Sequence, residues 1–118
     1  MKRNELVDYI QSNYGVAAEY LWDRFPNYII FRHKNNSKWF ALIMDVPSKK
    51  LYEGGTDDIV DIIDLKVPSE LVGSLRLKEN IYPAYHMNKE HWITIKLDSD
   101  FPESELKALV DDSYKLTT

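Results

Sequence analysis

The chain has 118 residues, 44% of them hydrophobic and 13% aromatic, a formal net charge of −4 and no cysteine. That length suits one domain, 1–118, and the apolar fraction is too high for a disordered chain. Lack of cysteine removes disulfides, thiolate metal ligands and cysteine nucleophiles, which fits a cytoplasmic protein. No apolar run approaches the ~20 residues of a membrane helix. Asn4, Glu5 and Asp8 interrupt the basic start before any signal-peptide core can form.

Leu6, Val7, Ile10 and Tyr14 recur at helical spacing, which predicts a first helix over Lys2–Asn13 that Gly15 ends in a left-handed conformation. Val16–Trp22 is ambiguous between coil and a short strand, and Phe25-Pro26-Asn27 is a turn. Tyr28–Lys34 and Lys38–Val46 are β runs joined by Asn35-Asn36-Ser37, a credible hairpin tip. Pro47 ends the second run, and a loop with Gly54-Gly55 leads to a third strand over Asp58–Val67. Ile59, Ile63, Leu65 and Val67 share one face of that strand. Pro68 opens a short helix, Ser69–Leu77, with Leu71, Val72 and Leu75 inward. Asn80–Glu90 is a long polar-aromatic loop.

His91–Leu97 alternates Ile93, Ile95 and Leu97 with Trp92, Thr94 and Lys96, the period of a half-buried strand. Asp100 is placed to cap the last helix, with Pro102 in its first turn and Glu103 three residues on from the cap. Leu106, Leu109, Val110 and Tyr114 then form one apolar stripe. Helix, three or four strands, helix, strand, helix describes an α+β fold. The expected architecture is a two-layer sandwich, an antiparallel sheet with helices on one face. Trp92, Thr94 and Lys96 would then line an uncovered face open to a partner.

Charge is segregated. Residues 24–50 carry a balance of +5, residues 51–64 one of −5, and residues 97–118 one of −4. Within the basic block, Arg32, His33, Lys34 and Lys38 surround the hairpin tip beside Trp39. On the central loop, Tyr85, His86, Asn88, Lys89, His91 and Trp92 repeat the mixture of cation and ring. Lysine and arginine neutralise phosphates, while aromatic rings stack on bases. These eleven residues are the expected binding set, with double-stranded DNA as the partner. A protein-interaction surface, or a small-ligand or metal site around His86 and His91, is the alternative. The acidic run 57–64 adjoins the basic block and would repel phosphate if it lay beside it.

No catalytic centre, cofactor or metal is expected, and the chain reads as a non-enzyme. No GxSxG elbow surrounds any serine, the four glycines form neither a Walker loop nor a dinucleotide fingerprint, and HMNKEH lacks the HExxH spacing that puts two histidines on one helix face.

HMNKEHW over residues 86–92, a hydrophobic strand, an acidic turn with Pro102, and a helix closing in VDDSY resemble the MmcQ/YjbR family of small bacterial proteins. KWFALIMDV, DIIDLKV and Pro68 follow the same family order, so the resemblance covers nearly the whole chain. It implies an α+β domain with a CyaY-like or secretion-chaperone-like layout. It also implies the double-wing DNA binding, through two hairpins, that has been proposed for proteins of this type.

Overall fold

The computed structural model describes residues 1–118. Five strands form one antiparallel sheet: β1 (Ile29–Arg32), β2 (Trp39–Pro47), β3 (Ile59–Lys66), β4 (Ile81–Pro83) and β5 (Trp92–Lys96), in spatial order β1-β2-β3-β5-β4. The helices are α1 (Arg3–Tyr14), a short α2 (Val72–Leu75) and α3 (Glu103–Leu116). No helix is long and apolar enough to cross a membrane.

The two-residue period of the strands decides which side chains meet the helices. Ile29, Phe31, Ala41, Ile43, Ile63, Leu65, Ile93 and Ile95 form one buried face, and Leu6, Ile10, Leu106 and Val110 of α1 and α3 pack on it. Burial of these side chains at roughly 25 cal/mol per Å² supplies the main driving force for the fold. Gly15 ends α1 with φ +63°, as expected, and its N–H closes the helix on the Gln11 carbonyl. The last helix starts differently from the expectation. Pro102, not Asp100, is the N-cap residue, and its carbonyl accepts the Leu106 N–H.

Three further expectations are corrected. Ile81–Pro83, assigned to loop, is an edge strand paired with β5, and Pro83 limits further pairing along that edge. Leu71, placed inward, is 46% exposed, because the segment Ser69–Leu71 is a 3₁₀ turn rather than a continuous helix and leaves Val72 and Leu75 to reach the core. The second sheet face is not bare. Tyr28, Ile30, Leu42, Met44, Val46 and Ile62 form a smaller buried cluster there, and Trp22, Trp39, Leu51, Tyr85 and Met87 pack over it from the loops.

Between β1 and β2 the register slips, pairing Phe31 with Ala41 but Arg32 with Trp39. Phe40 is the extra residue of this bulge, so its carbonyl needs a partner outside the ladder. The buried Ser113 hydroxyl of α3 donates to it at 2.6 Å and accepts the Lys66 N–H at 3.0 Å. Ser113→Ala should therefore lower stability by about 1–3 kcal/mol, the cost of orphaning buried backbone groups. Urea titration checks this. A loss below ~0.5 kcal/mol would mean that water replaces the hydroxyl.

Candidate functional site

The second sheet face carries a cleft of about 290 Å³. Leu42 and Met44 of β2 lie at its base, Trp22, Phe25 and Tyr28 enter from the segment before β1, and Trp39, His86 and Met87 complete it. The rings hold one another in place. Trp22 meets Trp39 edge-on at 5.8 Å and Tyr28 at 6.0 Å, while Phe25 stacks on Tyr28 at 4.7 Å. Phe25 keeps 48% of its surface in solvent, and Tyr20 and Leu21, just before the cleft, are exposed as well. A 290 Å³ space between rings, with one imidazole as its polar group, suits a flat aromatic or apolar group rather than a bare ion. The chain holds no group of three histidine, aspartate or glutamate side chains that could bind a metal ion.

Beneath the same layer lies Asp64, with no solvent exposure. Its Oδ1 accepts the Thr94 hydroxyl at 2.5 Å and its Oδ2 has no partner. Burial drives its pKa up from 3.8 to about 8, opposed by the Thr94 hydrogen bond and by the charge of Lys89.

The hairpin and the central loop that carry the expected binding set meet here through Trp39 on one side and His86 and Met87 on the other. A family model described as YjbR matches residues 11–116. The chain belongs to the YjbR family. It is 43% identical to the uncharacterized protein YyaQ of Bacillus subtilis over 117 residues, 99% of this chain and 98% of the other. The uncharacterized protein YjbR of Escherichia coli is 41% identical over 54 residues, which cover 45% of this chain and 46% of that protein. The crystal structure of a Pseudomonas syringae protein, 51% identical, superposes over the full length of both chains with a TM-score of 0.97. One from Deinococcus radiodurans, 27% identical, reaches 0.68 over 93% of this chain and 76% of that one.

Within this YjbR-family fold, the eleven residues of the expected binding set occupy different positions. Lys34 and Lys38 are exposed and in no ion pair, and Lys89, His86 and His91 are exposed on the loop before β5. Arg32 is held by Glu19 in a two-pronged ion pair, with Nε and Nη2 donating at 2.8 and 2.6 Å. His33 is buried against α3, with Nε2 3.0 Å from the Tyr114 carbonyl and 2.8 Å from Thr117 Oγ1. Because the carbonyl only accepts, Nε2 carries the proton. Asn36 also donates to the Thr117 carbonyl, so the hairpin tip is pinned to the end of α3.

Asn88 closes its own turn. Its side-chain oxygen accepts the Glu90 N–H, and its carbonyl accepts those of His91 and Trp92. Trp92 is only 9% exposed, while Tyr85 lies half-buried on the second-face cluster. The acidic run does lie beside the basic block, since β3 pairs with β2 along its length, but its charges point in different directions and sit away from the hairpin tip. Asp57 pairs with Lys49, Asp61 with Arg3 on the helix side, and Asp64 is buried on the other face. Sequence reasoning missed Trp22, Phe25 and Tyr28. The ring density of Tyr20–Tyr28 was their signal, but Trp22 fell in an ambiguous segment, Phe25 in a turn and Tyr28 at a strand start, so no common surface joined them.

Proposed function

We propose that this YjbR-family protein is a non-enzymatic nucleic-acid-binding domain that receives an unstacked base in the aromatic cleft. The observation that supports this most is the ring set of the cleft, bordered in the chain by cations that have no acidic partner. Arg24 precedes Phe25, Lys38 precedes Trp39, and Lys89 follows Met87 by two residues, all three exposed and outside every ion pair. A π-face accepts any base, and the neighbouring cations serve the phosphates on either side. Overall charge of −4 gives no long-range attraction, so binding rests on these local contacts. A paired duplex offers no free base, so single strands, or duplex ends and distorted sites, are the favoured form of DNA.

Fluorescence anisotropy with labelled 12-mers, single-stranded and duplex, at two salt concentrations tests the proposal. Three phosphate contacts should give a log–log salt slope near −2 for a single strand, at ~0.7 per contact. Trp39→Ala should weaken binding by roughly 5- to 150-fold, given ~1–3 kcal/mol per stacked base. No response from either strand form at about 100 μM in low salt would end the proposal. Exposed Phe25 in the cleft, with exposed Tyr20 and Leu21 just before Trp22 in the chain, favours one second reading, an interaction surface for a protein partner. A stable homodimer in sedimentation, with no response to DNA, is the result that would select it.

A further inference from the structure

We infer that Asp64, Thr94 and the Tyr85 amide form a proton-controlled latch on the loop 84–91, and that it regulates the cleft proposed above. The regulatory half rests on the binding proposal, whereas the latch itself does not. The geometry is a continuous chain across three segments. The Tyr85 N–H donates to Thr94 Oγ1 at 2.9 Å, and the Thr94 hydroxyl has one proton, which it gives to Asp64 Oδ1. The loop that includes Tyr85 carries His86 and Met87 into the cleft, and the exposed Lys89 follows Met87 by two residues. Thus Tyr85, just before the cleft residues His86 and Met87, hangs on a hydroxyl whose only proton points at a buried carboxyl.

That carboxyl has a second oxygen with no partner. With a proton on the carboxyl, the orphan is one neutral group. Without it, a buried anion has a single donor, and a buried charge left this short of partners is far costlier than a neutral orphan. The groups around it are few. Tyr28 contributes a phenol, burial of which raises its pKa and keeps it neutral, and the Tyr85 ring lies in the same cluster. On the sheet, Tyr82 of β4 pairs with Thr94, and Lys66 and Lys96 stand two positions along β3 and β5. Lys89 is the cation whose charge acts on Asp64, and it is on the loop the latch holds. Loss of the proton therefore draws Lys89 inward, pulls the loop onto the sheet, and takes one cation from any bound phosphate. Protonated Asp64 leaves the loop relaxed and Lys89 free. Desolvation raises the pKa of the Asp64 carboxyl to about 8, which puts loss of its proton on the alkaline side of neutral.

The test follows the ¹⁵N-labelled protein by NMR from pH 6 to 9.5. The Tyr85 amide should titrate with a midpoint near 8 in the native protein and lose that step in Asp64→Asn. Thr94→Val should uncouple Tyr85 from the carboxyl, and Thr94→Ser should restore the coupling. A Tyr85 amide that is flat over this range, or one that titrates alike in native protein and Asp64→Asn, overturns the latch. For regulation, affinity for a single-stranded 12-mer should fall several-fold from pH 7 to 9 in the native protein. Most of that change should vanish in Asp64→Asn, a comparison that also removes any contribution from His86. Equal pH dependence in both proteins would sever the latch from binding. Absence of binding at every pH would defeat the nucleic-acid proposal, and the Tyr85 titration would still decide the latch.

Discussion

Asp64→Asn should make the protein more stable at alkaline pH, by an amount that grows as pH rises. An ordinary aspartate ionises near 3.8 in the unfolded chain, whereas burial holds Asp64 in its protonated form up to about 8 in the fold. Between those values the folded state binds a proton that the unfolded state has released. Stability then falls with rising pH, by up to 1.36 kcal/mol per unit, and levels off above about 8. This is the reverse of a salt-bridged aspartate, whose contribution is lost on acidification. Asparagine keeps the shape and cannot ionise, so its curve lacks this slope. The gap between variant and native protein should widen by roughly 3–4 kcal/mol from pH 5 to 8.5, as an upper bound set by that slope. Urea unfolding at four pH values measures it, and parallel curves would show that water reaches the carboxylate in the fold. Any constant offset reports how the amide suits the orphan position and does not bear on the slope.

A buried carboxyl whose stability cost mounts as pH rises through neutrality calls for a reason to be there. Leu42, its neighbour on β2, and Ile62 on its own strand show that an apolar side chain is tolerated on this face. Stability and site therefore pull in opposite directions at Asp64, which is the pattern expected where a buried ionisable group serves function.

Much of the fold was legible because its strands and long helices carry their period locally. Ile93, Ile95 and Leu97 announce their face without reference to any partner, and Gly15 marks a helix end by its own conformational freedom. β4 has no such signal. Three residues ending in Pro83 become a strand only because β5 offers Ile93, Thr94 and Ile95 to pair with. The covered second face was half visible. Residues 39–44 are apolar at both odd and even positions, as befits a strand buried on two sides, but the cover comes from Trp22 and from Tyr85 and Met87, far away in the chain. His33 shows the same limit, since its partners Tyr114 and Thr117 lie more than eighty residues on. Its place in a run of basic residues suggested solvent, and only tertiary contact puts it inside. The Arg32 charge is likewise spent on Glu19, thirteen residues upstream.

The two neighbours Phe40 and Trp39 should separate structure from binding. The bulge turns Phe40 into the helix-side core, where it has no solvent exposure and lies among the rings of Tyr14, Phe31, His33 and Tyr114 at centroid distances of 4.9–6.4 Å. Phe40→Ala removes a ring from the contact between the β1–β2 hairpin and both long helices. It should cost about 3–5 kcal/mol, the sum of lost transfer energy and an unfilled cavity. That is a large part of the ~5–15 kcal/mol that holds a typical domain together. The unfolding temperature should drop by more than 10 °C, with the hairpin tip released from the end of α3 before the sheet is lost. Trp39, one residue earlier, faces the cleft and is half-buried, so Trp39→Ala should lose far less stability while weakening nucleic-acid binding. Calorimetry and anisotropy on the same two variants give the comparison. If Trp39→Ala unfolds as readily as Phe40→Ala, the cleft rings are core in disguise, and the proposed base site loses its strongest support.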